Sequence, residues 1–447
     1  MGRVTGFEPA TSSTTNWRSN QLSYTRHNAL QKVSAISCQY LVRLFMLISD
    51  LSVNKNMGQN MFNPANERLG TESAFTVLAR ATALAAAGND IINLGIGQPD
   101  FATPPHITEA AIKAIRDGHH GYTPSMGMPI LREAVQADVK ARYGAHVPVE
   151  QIQIMPGGKP TMFFACMILG GAGTEIILPD PGFPIYHSAI NYSGARPVPY
   201  GLSEEKGYAF DADDVLSKIT DKTSLIIINS PANPTGGVTP KSELDKLVKG
   251  LADFPHVHLL SDEIYDRLAF EGAPISLSSY PEIADRLIIL NGWSKTYAMT
   301  GWRAGYAIWP KSMTDYADRL AVNIHSCVNA PTQMAALAAT TGPQDCVEDM
   351  RAAFARRAQV TFTALNQLDG VSCPMPKGAF YAFANIQNTG LTAREFQDKA
   401  LDSYGVALIA GTSFGAQGEG YVRLSVANSD TAITNAIQRL SDMISHL

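Results

Sequence analysis

The 447-residue chain is poor in cysteine, in charge and in uninterrupted apolar sequence. Its five cysteines, Cys38, Cys166, Cys327, Cys346 and Cys373, are odd in number and widely spaced, with no Cys-x-x-Cys. That excludes a disulfide frame or a cysteine zinc site. It reads as free thiols in a reducing compartment, the cytoplasm. No run approaches the ~18 apolar residues that span a bilayer. The best, Tyr40 to Ile48, is short and carries Arg43. Charged residues make up 17%, with a net charge of −5. The missing basic excess argues against nucleic acid as a partner and against a polybasic membrane anchor. The apolar share of 45% excludes wholesale disorder. The length suggests two to three domains at ~150 residues each.

The first 56 residues differ from the rest. They are rich in Ser, Thr, Asn and Arg, and Glu8 is the only acid before Asp50. They show no sustained period and read as a leader, a disordered or mis-called start ahead of Met57 or Met61. An organelle transit peptide is the alternative, since its composition is similar.

Beyond that, helix-like and strand-like segments alternate. Helical spacing marks Ile107–Ile115, Pro129–Tyr143, Pro240–Leu251, Val347–Leu368 and Asp430–Leu447. Short apolar runs mark strands at Glu175–Leu178, Ser224–Ile228, Val257–Leu260 and Arg286–Leu290. Such alternation predicts an α/β fold with a mostly parallel sheet covered on both faces. Gly378–Phe383 and Tyr421–Val426 look like strands of a smaller α+β unit.

Open parallel sheets bind ligands at the carboxyl ends of their strands. The residues after the four runs are Pro179-Asp-Pro-Gly-Phe-Pro-Ile-Tyr186, Asn229-Ser-Pro-Ala-Asn-Pro-Thr-Gly-Gly237, Ser261-Asp-Glu-Ile-Tyr265 and Asn291-Gly-Trp-Ser-Lys-Thr-Tyr297. They bring a ring, an amide, a carboxylate with a tyrosine, and a lysine to one edge. Gly157-Gly-Lys159 opens a further apolar helix. This set answers the needs of pyridoxal 5'-phosphate, which takes a lysine as Schiff base and a carboxylate on its ring nitrogen. Lys295 suits the first role and Asp262 the second. Tyr265 and Asn233 suit the ring's phenolic oxygen, and Phe183 its face. The backbone of Gly158 and Lys159 at a helix start suits the phosphate, with Ser294 and Arg303 completing that site.

The chain resembles the class I/II pyridoxal-phosphate aminotransferases, the aspartate-aminotransferase family of fold type I. The resemblance runs from about Met61 to the C-terminus. It rests on Gly95-Ile-Gly-Gln-Pro-Asp-Phe101, Gly121-Tyr-Thr-Pro124, Gly157-Gly-Lys159, Asn233-Pro-Thr-Gly236, Ser261-Asp-Glu-Ile-Tyr265, Ser294 to Arg303 and Val422-Arg-Leu-Ser425. It implies a large cofactor domain, a small domain made from both chain ends, and a homodimer with shared sites. The expected division is 57–108 with 346–447 for the small domain and 109–345 for the large. It also implies that Arg423 clamps the substrate α-carboxylate, helped by Asn233. Gly97 would bring its backbone near that carboxylate, and Tyr122 would reach the partner subunit's cofactor phosphate. Two departures stand out. Phe183 replaces a stacking Trp common in relatives, and Pro160 a common Gln. The implied reaction moves an amino group from an amino acid to a 2-oxo acid by ping-pong chemistry. Catalysis would lie with Lys295, Asp262 and Tyr265. The alternatives are a carbon–sulfur lyase or synthase on the same scaffold, or an aminotransferase-like transcription regulator, for which the leader lacks a helix pair. The substrate side chain is left open.

Other motifs have plainer readings. Gly95-Ile-Gly97 lacks the third glycine of a dinucleotide fingerprint, and Gly157-Gly-Lys-Pro-Thr161 lacks the upstream glycine of a P-loop. His256 and His258 have no third ligand nearby, so no metal is expected. Glu263 reads as structural, and Tyr297, Phe380 and Tyr381 as packing or pocket wall.

Overall fold

A computed structural model describes residues 62–272 and 275–447. The leader 1–56 lies outside the described residues. Pro64–Leu447 forms one compact unit.

Its centre is a seven-stranded sheet. In chain order the strands are β1 (Ile152–Met155), β2 (Glu175–Asp180), β3 (Arg196–Gly201), β4 (Thr223–Asn229), β5 (His258–Asp262), β6 (Leu287–Gly292) and β7 (Gly305–Ile308). The spatial order is β1-β7-β6-β5-β4-β2-β3. The run from β3 through β2, β4 and β5 to β6 is parallel, and β7 pairs antiparallel with both β6 and β1. All four expected strands are present. Every residue of β2 and β6 is buried, as a sheet covered on both faces demands.

β3 carries no strand signal in the sequence because Arg196-Pro-Val-Pro-Tyr-Gly201 holds two prolines. Its position explains them: it is an edge strand, mostly only partly buried. Proline is tolerated where one side of the ladder is unpaired.

The smaller sheet has three antiparallel strands, β8 (Tyr381–Asn385), β9 (Ile409–Ala410) and β10 (Tyr421–Ser425), in the order β9-β10-β8. It packs with the helices Asp345–Leu365 and Asp430–Ser445 around a core that includes Phe354, Phe380, Phe396, Val422 and Leu440. The five expected helices are present, within a few residues of the expected bounds. Among the described residues, no helix is long and apolar enough to cross a membrane.

Two further helices position the site. Helix α1 (Ser73–Ala86) contributes its N-terminal end. Helix α2 (Lys159–Leu169) begins two residues after Gly157. Gly157 turns the chain with φ +86°, a conformation that favours glycine.

Candidate active site

The strand ends open on a cavity of about 580 Å³, within the range of pockets that hold a cofactor and a small substrate. Eleven of the twelve sequence-expected residues line it: Gly97, Gly158, Lys159, Phe183, Asn233, Asp262, Tyr265, Ser294, Lys295, Arg303 and Arg423. Tyr122 does not. It is 93% exposed.

Asp262 ends β5 and is 2% exposed. The Tyr186 hydroxyl donates to its Oδ2 at 2.6 Å, and the Ile264 N–H to its Oδ1 at 3.2 Å. Burial raises its pKa to about 6, against the pull of those two donors. A cation placed against this carboxylate would relieve that penalty.

Lys295 sits in the four-residue helical turn Trp293–Thr296 that follows β6. Its Nζ donates to the Gly97 carbonyl at 2.6 Å and lies 5.7 Å from the Phe380 ring centre. Burial and the nearby guanidinium groups of Arg423 and Arg303 lower its pKa to about 8. At pH 7 about a tenth of this amine is therefore unprotonated and nucleophilic, far more than for a lysine of ordinary pKa. The following turn is strained, with φ +51° at Ala298 and +57° at Arg303. Neither residue is glycine, so both pay for the conformation that fixes this turn.

Arg423 lies on β10 and is 3% exposed. Its guanidinium is held between the rings of Tyr381 and Phe414, at 4.5 and 4.8 Å. Nη1 donates to Asn233 Oδ1 at 2.9 Å and Nη2 to the Gly95 carbonyl at 2.6 Å. Nε has no partner among the described residues, and no described carboxylate pairs with this cation. Burial lowers its pKa. A buried guanidinium without a counter-ion costs several kcal/mol, a cost that an anion in the cavity would offset.

Gly158, Lys159, Ser294, Thr300, Gly301 and Arg303 also line the cavity. Pro160 has no N–H and the Thr161 N–H donates to the Gly158 carbonyl, so the N–H groups of Gly158 and Lys159 are the ones this helix start leaves to favour an anion. A Cβ on Gly157 would sit 2.1 Å from Arg303 Nη2. Bare backbone is thus what lets the guanidinium reach this corner. Pyridoxal phosphate fits these residues on three counts: an anion cradle, a buried carboxylate for a cationic ring nitrogen, and an amine of lowered pKa. The side chain of Lys159 is not part of that cradle. It pairs with Glu72, so its contribution there is its backbone N–H.

Some residues of the site were not legible beforehand. Tyr186 is the donor to Asp262, one turn into the helix Pro184–Ser193. Asn229 ends β4, where its Nδ2 donates to the Asp262 carbonyl at 2.9 Å and its Oδ1 accepts from the Asn233 N–H at 2.9 Å. It ties two of the loops together. Its place at a strand's carboxyl end was the one available signal. Tyr381, expected as pocket wall, also bonds the Tyr265 hydroxyl at 2.9 Å. A Cβ on Gly97 would lie 2.2 Å from the Tyr381 oxygen. Glu263 bonds Ser261 and the Leu277 N–H, away from the cavity.

Comparison with known proteins identifies the family. The family description "Aminotransferase class I and II" matches residues 89–440. An aspartate aminotransferase of Pyrococcus horikoshii is 37% identical over 356 residues, 78% of this chain and 90% of the relative. An asparagine–oxo-acid transaminase of Streptococcus mutans is 37% identical over 371 residues, 81% and 93%. The crystal structure of the Rhizobium meliloti aspartate aminotransferase superposes with a TM-score of 0.82 at 29% identity, covering 87% of this chain and 99% of that one. The Pyrococcus furiosus alanine aminotransferase gives 0.82 at 32%, covering 86% and 100%. The chain belongs to the class I and II aminotransferases, fold-type I transaminases that use pyridoxal 5'-phosphate.

Proposed function

We propose that this aminotransferase receives the α-carboxylate of its amino acid on Arg423 and works on the Cα–H bond with Lys295. The observation that carries this is the buried guanidinium without a carboxylate partner, in the same cavity as an amine of lowered pKa. When bound, pyridoxal phosphate supplies an aldehyde that condenses with amines and a ring that accepts electron density from Cα.

The residues of this chain would do the rest. Gly158, Lys159, Ser294 and Arg303 would hold the phosphate. Phe183 would cover a ring face. Asp262, oriented by Tyr186 and Asn229, would keep a proton on the ring nitrogen. Asn233 and Tyr265 would hydrogen-bond the phenolic oxygen. Arg423 would offer its remaining guanidinium N–H groups to the substrate carboxylate in charge-assisted bonds. Gly97 leaves room beside it. Lys295, once free, would take the Cα proton on its Nζ and deliver it to the cofactor's aldehyde-derived carbon, across the amino nitrogen. Its lowered pKa suits this exchange near neutral pH.

We further assign residues 57–108 with 346–447 to a small domain and 109–345 to a large one. A hydrophobic cluster around Phe354, Phe380 and Leu440, drawn mostly from the first set, supports this. A homodimer is proposed in which Tyr122 reaches the partner's phosphate site. Its near-complete exposure on the isolated chain favours that reading. The four free cysteines among the described residues support a cytoplasmic location.

The relatives are named for aspartate, asparagine and alanine, so family membership leaves the side chain open. The test is spectral. Adding an amino acid should convert the bound cofactor to its amine form, and a 2-oxo acid should restore it. Release of ammonia and pyruvate without that cycle would replace this reading by a lyase.

A further inference from the structure

The segment between β9 and β10 is seated on the exit of β2 through three of its backbone groups. It runs as two short helical turns, Gly411–Phe414 and Ala416–Gly418, joined at Gly415. The Gly182 N–H donates to the Phe414 carbonyl at 2.7 Å. Asp180, the last residue of β2, is buried, and its Oδ1 accepts from the Gln417 N–H at 3.2 Å. The Ala416 N–H acts on the same carboxylate. Gly415 makes this approach possible: its φ is +136°, and a Cβ there would lie 2.0 Å from Asp180 Oδ1. A buried carboxylate held by backbone donors binds that backbone firmly, because moving the donors away would leave its polar oxygens buried and unpaired.

The same segment carries Phe414, whose ring centre lies 4.8 Å from the Arg423 guanidinium carbon, an attractive contact for a buried cation. Two other contacts on that guanidinium come from Asn233 and the Gly95 carbonyl. Phe414 stands on irregular backbone rather than a strand, so its place depends on what holds that backbone. Neither Asp180 nor Phe414 lines the cavity, so both reach a substrate only through Arg423. We infer that Asp180 is a positioning residue for the carboxylate clamp: through the 411–418 segment it seats Phe414 against Arg423 before a substrate arrives. Amino acid and 2-oxo acid both carry a carboxylate beside the reacting carbon. Loss of the latch therefore weakens both and leaves the chemistry at Lys295 and Asp262 in place. The inference rests on the reading that Arg423 receives the substrate carboxylate.

The test uses the holoenzyme. Aspartate, asparagine and alanine are each offered with 2-oxoglutarate, and the pair that wild type turns over fastest is carried through kcat, both KM values and the cofactor Kd. Asp180→Ala should raise both KM values at least fivefold while kcat and the cofactor Kd stay within threefold. A merely structural role would instead lower the fraction of active holoenzyme and leave KM in place. Phe414→Leu should raise the same KM values at least fivefold. Asp180→Ala added to Phe414→Leu should then add less than threefold, because the ring it seats is already gone. Where Asp180→Ala gives no folded holoenzyme, Asp180→Ser takes its place in each comparison. A smaller KM rise in either single variant, or a larger added rise in the double variant, overturns the inference. Arg423→Ala separates this outcome from failure of the reading beneath it. An unchanged KM in Arg423→Ala removes the clamp and the latch together, whereas a raised KM there beside an unaffected Asp180→Ala removes the latch alone.

Discussion

Arg423 on the small sheet and Asn233 in the loop after β4 are joined by a 2.9 Å hydrogen bond from Nη1 to Oδ1. This bond connects the strand that carries the cation to the edge of the large sheet, where the cofactor residues stand. It uses one N–H of the guanidinium and fixes its plane, leaving Nε unpaired. The anion site is thus set in orientation before a substrate arrives, which lowers the ordering cost of binding.

Arg423→Ala should raise KM for amino acids on the order of 100-fold or more, since charge-assisted bonds of about 1.5–3 kcal/mol each are lost. Cofactor affinity should change far less. Steady-state kinetics beside a cofactor titration separates the two. Arg423→Lys should recover little, because a point charge cannot replace the planar fork.

Asp262→Asn should lower kcat by on the order of 10²–10³-fold, the scale of a lost electrostatic stabiliser. Tyr186→Phe is the finer probe. It removes a donor that holds the Asp262 pKa down. The acid limb of the kcat/KM profile should therefore move to higher pH, and a profile that stays in place would remove Tyr186 from this role.

Lys295 gives a prediction for stability in the cofactor-free protein. Its folded pKa of about 8 lies below its usual 10.5. A depressed lysine costs the fold stability below about pH 8, and the cost fades as pH rises towards the unfolded value. Lys295→Met should accordingly raise the Tm of the cofactor-free protein at pH 7. The difference should shrink between pH 8 and 10.5. Calorimetry across that range checks it, and a constant difference would show that packing rather than charge is responsible.

Two glycines test the cradle. Gly157→Ala forces a side chain into φ +86° and against Arg303. The strain alone is about 1–3 kcal/mol, and the cofactor Kd should rise at least tenfold. Gly97→Ala instead pushes on the Tyr381 hydroxyl and should weaken the amino acid more than the cofactor. Equal effects on both ligands would contradict the division of the cavity.

The sequence was most readable where local chemistry and topology agree. The apolar strands Thr223–Asn229 and Leu287–Gly292 announce themselves by composition, and the residues after them fall into the cavity because parallel strands share one carboxyl end. Lys295, Asp262 and Arg423 were found this way or by resemblance. Asn229 and Tyr186 were missed because their roles are pairwise: each acts on Asp262, 33 and 76 residues away, and no local pattern encodes that. Edge strand β3 was missed because its prolines oppose strand propensity, and only its place in the sheet permits them. Glu72 gave no signal because it precedes its helix and meets Lys159 only in three dimensions.

The most direct test of the account follows the cofactor spectrum of wild type and Lys295→Ala through one cycle of amino acid and 2-oxo acid. The account predicts full conversion and recovery in wild type. In Lys295→Ala it predicts loss of the lysine-linked absorbance and a cycle slowed by several orders of magnitude. Turnover in Lys295→Ala at the wild-type rate would contradict it.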